Sequence, residues 1–188
     1  IIKVVEEVLI KFNKEIVSSL EKQNCKSQSL HSKENNIISA EKDSEELGFV
    51  GSPTDINKSI IEKIIKNKKV PVIAPLGISV ENQTYNINAD TAAGSIAKKL
   101  KARRLIIMSD VEGVLDSNDK LIPEINSDSI KNLIENETIT GGMIPKINNC
   151  LDVASNGVKG VVIIDGRKNH SLLFELLSDK GSGTLIRQ

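Results

Sequence analysis

The chain has 188 residues, of which 39% are hydrophobic and 27% charged, a composition typical of a globular protein and not of a disordered or fibrous one. Its 25 Lys and Arg balance its 25 Asp and Glu, and only 2% of its residues are aromatic, which argues against a nucleic-acid partner. No apolar run approaches the roughly 18 residues of a membrane span, and the two cysteines lack metal-ligand spacing, so we expect a cytoplasmic protein without a membrane partner.

The first half of the chain alternates helical and strand patterns. Apolar residues from Val5 to Leu20 recur at spacings of three and four, which predicts a helix. The polar stretch 25–43 contains one apolar pair and predicts a strand or hairpin between loops. Asn57 is predicted to cap a second helix, and VPVIAP (residues 70–75) is predicted to be a buried strand.

The second half repeats this alternation. Helices are predicted over residues 90–101, 127–135, 143–156 and 170–178, strands over residues 104–108, 159–165 and 183–186, and a hairpin that pairs residues 113–116 with residues 120–125. Because strands and helices alternate, we predict an α/β fold with a mainly parallel sheet covered on both faces.

One candidate site is the polar motif that follows VPVIAP, since open parallel sheets bind ligands at the carboxyl ends of their strands. Asn86, Asn88 and Asp90 alternate before a predicted helix. On an extended segment this spacing points all three side chains to one side, where amide groups could hold a carboxylate or an amide of a ligand. Simple capping of the helix is an equally good interpretation of the motif.

Two further segments have features of a phosphate site. Asp110 ends a predicted strand, and Gly113 permits a close backbone approach, although an ordinary strand exit explains both. Gly141 and Gly142 precede a helix that carries Lys146. Exposed N–H groups at a helix N-terminus bind phosphate, and a lysine there could stabilise a transferring phosphoryl group. A flexible helix entry followed by a solvated lysine is the alternative.

Motifs of several other enzyme classes are absent from the sequence. The chain has no Gly-Lys dipeptide, so it has no Walker A phosphate loop, and it contains no G-x-G-x-x-G, G-x-S-x-G or H-E-x-x-H. Its two histidines, His31 and His170, lie far from any serine or cysteine signature. These absences weaken both a hydrolase and a dehydrogenase assignment.

The segments YNINADTAAGSIA, LIIMSDVEGVLD, TGGMIPKI and VVIIDGR, in this order and spacing, resemble the amino-acid kinase family and, within it, the acetylglutamate kinases. The resemblance extends from about Asn13 to the C-terminus. It implies a three-layer αβα sandwich of two lobes. Residues 1–85 would be the remainder of an N-terminal substrate-binding lobe, and residues 86–188 a C-terminal ATP-binding lobe that continues the same domain.

The activity that the resemblance implies is ATP-dependent phosphorylation of the side-chain carboxylate of N-acetyl-L-glutamate in arginine biosynthesis, with Mg²⁺ bound through the nucleotide phosphates. The alternatives are another acceptor (carbamate, aspartate, glutamate or a nucleotide) and a non-catalytic nucleotide-binding module. A homo-oligomer, dimer or hexamer, is implied. Some members of the family respond to arginine or to a nitrogen-signalling protein.

Site residues carry over from the resemblance position by position. Asn86 and Asn88 match substrate-binding residues, while Asp90 and Lys146 match catalytic residues. The ATP-binding positions are Asp110, Val111, Glu112, Gly113, Val114, Leu115, Thr138, Ile139 and Thr140, and no residue is expected to bind a metal directly. The family's second catalytic lysine and its substrate-gripping arginine have no match after Ile1. We therefore expect an N-terminally incomplete fold and an inactive 188-residue chain.

Overall fold

A computed structural model describes all 188 residues, which form two compact units. Unit 1 runs from Ile1 to Lys99 and unit 2 from Leu100 to Gln188. The division falls at the end of a helix, later in the chain than the predicted lobe boundary at residues 85 and 86. Which unit serves the substrate and which the nucleotide stays a prediction.

Unit 1 combines four helices with two small sheets. Its elements are α1 (Ile2–Lys22), β1 (Ser27–Leu30), α2 (Ser32–Asn35), β2 (Ile38–Lys42), β3 (Gly51–Ile56), α3 (Lys58–Lys66), β4 (Val70–Ile73), β5 (Leu76–Ile78), β6 (Thr84–Asn86) and α4 (Ala89–Leu100), the last of which ends one residue into unit 2. Strands β1 and β4 pair in parallel. The other sheet has the order β3-β2-β5-β6, in which only β2 and β5 are parallel.

The predicted helices of unit 1 are present, and the stretch 25–43 forms two strands, β1 and β2, which belong to different sheets and so make no hairpin. The apolar spacing of residues 5–20 produces α1, and Asn57 occupies the N-cap position of α3, but its Oδ1 accepts from the Ser59 hydroxyl at 2.7 Å and makes no capping bond to the backbone. VPVIAP does form β4, but Val70 is 45% exposed, so the expectation of a buried strand is wrong there. The reason is that β4 has a single hydrogen-bonded neighbour, β1, and an edge position also tolerates Pro71.

Unit 2 is built on one four-stranded sheet. Its elements are β7 (Leu105–Ser109), β8 (Glu124–Asn126), α5 (Ser127–Glu135), α6 (Met143–Ser155), β9 (Val161–Asp165), α7 (Ser171–Leu177) and β10 (Gly183–Arg187). The strand order is β7-β9-β10-β8, and β9 is antiparallel to β10 while the other two pairs are parallel. Every residue of β9 is buried, as its continuous apolar run predicts.

The predicted hairpin of unit 2 forms between residues 114–116 and 120–122, where the Ile122 N–H donates to the Val114 carbonyl at 2.8 Å, but it does not extend to residue 125. The Asp116 N–H donates to the Lys120 carbonyl at 2.8 Å, and Leu115 bridges Leu121. Beyond the tip, β8 pairs with β10 instead, because the buried Ile125 completes the core of the sheet. Over both units four strand pairs are parallel and three antiparallel, which confirms the α/β class with mainly parallel pairing. None of the helices is long and apolar enough to span a membrane.

Candidate active-site residues

Asn86 is the last residue of β6 and is fixed through its backbone. Its N–H donates to the Phe49 carbonyl at 2.9 Å, in the connection between β2 and β3, and it faces Leu76 across the β5–β6 pair. Its side chain is half-buried. The sheet therefore holds Asn86 on both sides, and its amide is carried by a rigid strand end.

Asn88 caps α4 with its side-chain oxygen. Oδ1 accepts hydrogen bonds from the backbone N–H groups of Asp90 at 3.0 Å and Thr91 at 3.2 Å, and the Asn88 carbonyl accepts the first helical bond, from Ala92. The capping interpretation of the sequence is therefore correct for this oxygen. The residue is exposed, and its Nδ2 group donates no hydrogen bond within the chain. Capping by Oδ1 leaves the amide donors for a ligand.

Asp90 lies in the first turn of α4 and is half-buried. The chain is extended only to Asn86, and the helix begins at Ala89. The predicted arrangement, in which one extended segment points Asn86, Asn88 and Asp90 to the same side, is therefore wrong. The three residues instead occupy a strand end, a helix cap and a first helical turn, where the positive end of the helix dipole favours the carboxylate of Asp90.

In unit 2, the loop after β7 carries the predicted nucleotide contacts Asp110 to Leu115. Asp110 is exposed, whereas Gly113 and Val114 are buried. Gly113 has φ of +140°, and a Cβ at this position would lie 2.5 Å from Thr184 Oγ1. That hydroxyl also accepts a hydrogen bond from the Val114 N–H at 2.9 Å. The close approach that Gly113 permits is thus an approach to β10, which anchors the loop.

The carboxyl end of β9 lies beside this loop, and its last residue, Asp165, is a buried carboxylate. Asp165 is 2% exposed and accepts two parallel hydrogen bonds from the Arg167 guanidinium, Nε to Oδ1 and Nη2 to Oδ2, each of 2.9 Å. The Arg167 backbone N–H adds a third. The side-chain bonds, and then the backbone bond, lower the pKa of Asp165 to about 2. Lys168 forms an ion pair with Glu112 at 2.7 Å.

Sequence reasoning assigned no role to Asp165, Arg167 or Lys168. The resemblance contained the segment VVIIDGR, but only strand register reveals its surroundings: β7 and β9 are parallel and Ser109 aligns with Asp165. Their carboxyl ends therefore meet at one edge of the sheet. The two apolar runs that predict β7 and β9 could have indicated this contact, had they been placed side by side in one parallel sheet.

The segment from Thr138 to Thr140 joins α5 to α6. Ile139 is 1% exposed, and its N–H donates to the Leu133 carbonyl at 2.8 Å. The Thr138 N–H donates to Asn136 Oδ1 at 3.2 Å, while Thr140 is exposed. Ile139 therefore anchors the segment in the core, which leaves only the flanking threonines and the backbone for the predicted nucleotide contact.

Gly141 and Gly142 form an open entry to α6. Gly141 has a left-handed backbone with φ of +52°, and Gly142 has a right-handed one. Both are exposed, and a Cβ at either would meet nothing within 4 Å. Lys146 follows on the helix and is half-buried. The Met143 N–H donates to the Thr140 carbonyl at 3.1 Å, the Ile144 N–H donates to the Gly141 carbonyl at 3.2 Å, and Pro145 has no N–H, so the first turn of α6 offers a phosphate open space beside the two glycines and not a set of free N–H groups.

Comparison with known proteins gives a consistent result. Residues 2–165 match the amino acid kinase family. The acetylglutamate kinase of Pelagibacter ubique (strain HTCC1062) is 70% identical over 187 residues, which cover 100% of this chain and 65% of that protein. The chain therefore spans about two thirds of the length of this curated relative.

Solved structures show the same fold. The crystal structure of smu.665 from Streptococcus mutans UA159 is 34% identical with a TM-score of 0.83, over 99% of this chain and 71% of that one. N-acetylglutamate synthase from Neisseria gonorrhoeae, complexed with coenzyme A and L-arginine, has a TM-score of 0.77 at 22% identity, over 87% of this chain and 38% of that one. At that identity the second likeness concerns the fold alone.

Proposed function

Because the chain belongs to the amino acid kinase family, we propose that the protein transfers the γ-phosphoryl group of ATP to the side-chain carboxylate of N-acetyl-L-glutamate, as a cytoplasmic step of arginine biosynthesis. The observation that carries the proposal is the 70% identity, along the whole chain, with a relative named acetylglutamate kinase. In the proposed step a carboxylate oxygen bonds to the γ-phosphorus and the bond from that phosphorus to ADP breaks. The products are an acyl phosphate and ADP.

Unit 1 contributes the proposed substrate contacts. Asn88 is an exposed residue, and Asn86 lies at a fixed strand end. Amide groups suit a substrate that presents both a carboxylate and an acetylated amine, since one amide both donates and accepts hydrogen bonds. We assign Asp90 the role of orienting a catalytic cation, because its carboxylate is held at a helix N-terminus.

Unit 2 contributes the proposed nucleotide contacts. The loop Asp110–Leu115 and the segment Thr138–Thr140 would contact ATP, and the open space beside Gly141 and Gly142 leaves room for its phosphates. Lys146 would stabilise the charge on the transferring phosphoryl group. Phosphoryl transfer needs chiefly positioning and charge stabilisation, which these fixed groups can supply without a covalent intermediate.

Magnesium is part of the proposal as an ion carried by ATP. The chain contains no cluster of three or more His, Cys, Asp or Glu side chains arranged to hold a metal ion. We assign the ion to the phosphates of ATP, since Mg²⁺ in kinases is bound largely by substrate phosphates and water. When bound there, the ion neutralises part of the phosphate charge.

A homo-oligomer, dimer or hexamer, is a further proposal, and the outer face of α1 supports it. Val4, Val8, Phe12 and Ile16 recur every four residues, and the first three are more than half exposed. A contiguous apolar stripe of this kind is typical of an association surface. Light scattering should show a smaller particle for Phe12→Glu but not for the control Lys11→Glu. Regulation by arginine is tested by measuring the rate of ADP release with N-acetylglutamate in the presence and absence of millimolar arginine, where a lower rate with arginine would indicate inhibition.

A coupled assay of ADP release tests the function. The full-length gene product is supplied with Mg-ATP and, in parallel, N-acetylglutamate, glutamate, aspartate, carbamate or a nucleoside monophosphate. We expect turnover chiefly with N-acetylglutamate. Faster turnover with another acceptor would assign a different kinase activity. ATP binding without any turnover would favour a nucleotide-binding module. The same assay on the 188-residue chain tests the expectation that it is inactive alone.

A further inference from the structure

Two basic residues directly after β9 lie beside the acidic loop after β7. The two strands are parallel, with Ser109 aligned to Asp165, and the Gly166 N–H donates to the Ser109 carbonyl at 2.8 Å. A Cβ at Gly166 would lie 3.3 Å from that carbonyl, so the two segments pass close to each other. Backbone contact therefore holds the β9 exit against the loop that begins at Asp110.

Arg167 is held in a fixed orientation by the buried carboxylate of Asp165. Asp165 is buried, and three hydrogen bonds join it to Arg167, two of them parallel bonds to the guanidinium. A bidentate pair of this kind fixes orientation as well as distance. The pKa of Arg167 is raised first by Asp165 and then by the charges of Asp110 and Glu112. The contact that fixes Arg167 is therefore the one with Asp165, and the two loop carboxylates add a weaker, longer-range attraction.

Lys168 forms the second contact between the β9 exit and the loop, at the protein surface. Its Nζ lies 2.7 Å from Glu112 Oε1, and both side chains are about half exposed. Without these two cations, Asp110 and Glu112 would place two negative charges on a loop that has to accept a polyanion. With them, Glu112 is paired with Lys168, and the loop is tied to the β9 exit at two points, by that ion pair and by the hydrogen bond from the Gly166 N–H to the Ser109 carbonyl.

We propose that Arg167 and Lys168 are positioning residues of the nucleotide site, which hold the loop Asp110–Glu112 in its binding conformation and offset its negative charge. This inference rests on the proposed function, in which that loop contacts ATP. Neither residue has to touch the nucleotide. Their loss should weaken ATP binding while the affinity for N-acetylglutamate stays unchanged, because the residues proposed to bind that substrate belong to β6 and α4.

Lys168 gives the cleaner experiment, since an exposed ion pair adds little to stability. The dissociation constant of Mg-ATP is measured by calorimetry on the full-length gene product, with Lys168→Met, Lys168→Arg and the control Lys159→Met. Lys159 is exposed and precedes the same strand at its opposite end. We expect Lys168→Met to raise the dissociation constant by roughly two- to fivefold, the range of an exposed ion pair. Lys168→Arg should restore it, and the effect should shrink at high salt.

Arg167→Lys is the second variant, because lysine keeps the charge that pairs with Asp165 but cannot form two parallel bonds. It should also raise the dissociation constant of ATP and the KM for ATP, with the KM for N-acetylglutamate unchanged. Dissociation constants for Lys168→Met and Arg167→Lys equal to that of Lys159→Met would overturn the inference. Because the readout is ATP binding, it does not depend on turnover: a wild-type protein that binds ATP but does not phosphorylate N-acetylglutamate would refute the proposed function alone.

Discussion

Replacement of Asn88 by alanine and by aspartate separates its two roles. The side-chain oxygen caps α4 through the N–H groups of Asp90 and Thr91, and the Nδ2 group is directed to no partner in the chain. Alanine removes both the cap and the donor. Aspartate keeps an oxygen for the cap and is as good a capping residue as asparagine, but it has no donor and carries a negative charge.

The two substitutions should therefore differ in stability, while both weaken substrate binding. Loss of an exposed cap costs about 1 kcal/mol, which in a chain of this length lowers Tm by about 2–4 °C. Asn88→Asp should keep Tm close to that of the wild type, since a carboxylate is favourable at a helix N-terminus. Loss of a hydrogen bond to a charged group costs about 1.5–3 kcal/mol, so both variants should raise the KM for N-acetylglutamate by roughly 10- to 100-fold.

Thermal melts and the coupled ADP assay measure the two effects on the same preparations. Asn126→Ala is the matched control, because Asn126 caps α5 in the same way, with Oδ1 accepting from the Ser129 N–H at 3.0 Å, and belongs to unit 2. It should lower Tm like Asn88→Ala and leave the KM unchanged. If Asn88→Asp has the wild-type KM, Asn88 is only a helix cap and its role in substrate binding is refuted.

Three further predictions concern unit 2. Lys146→Ala should lower kcat in the ADP assay by roughly 10²–10³-fold, the loss expected for one transition-state donor. The control Lys131→Ala, at an exposed position of α5, should leave kcat unchanged. Equal rates for the two variants would show that Lys146 has no catalytic role. Gly113→Ala should lower Tm by several degrees, because alanine is strained at this positive φ and its Cβ would clash with Thr184. Gly142→Ala, where a Cβ meets nothing within 4 Å, should leave Tm unchanged. Equal melting temperatures for the two variants would contradict this account. Asp165 has a folded pKa of about 2 against an ordinary value of 3.8, so it stabilises the fold above about pH 4 and loses this contribution as the pH falls toward 2. Urea titrations over that range should show a shallower loss for Asp165→Asn, and an identical pH slope would disprove the assignment.

The elements of the fold that could be predicted are those with strong local patterns. The helix α5 begins and ends at the predicted residues, and β9 lies within its predicted apolar run. Pairing could not be predicted in the same way. The residues of β8 were assigned to a local hairpin, but they pair with β10 because a buried position for Ile125 outweighs the proximity of the turn. The sequence alone contains no measure of that competition.

The candidate site shows the same division. The position of Asn88 before α4 follows from capping chemistry, and the open entry at Gly141 follows from paired glycines before a helix. The pair formed by Asp165 and Arg167 did not follow, since an Asp-Gly-Arg segment has many conformations. Only burial of the carboxylate, next to a strand from a distant part of the sequence, selects the bidentate one.

From sequence alone, helix capping and ligand binding by Asn88 are alternative interpretations. The side chain can serve both, because its Oδ1 accepts the capping hydrogen bonds while its Nδ2 group can donate to a ligand. Hydrogen bonds from two backbone N–H groups hold Oδ1, so the side chain is already restricted to one conformation before a substrate binds. Ordering a side chain on binding costs about 0.5–1.5 kcal/mol. A cap that has already ordered the amide lowers that cost, so the helix end that stabilises α4 also preorganises the proposed donor.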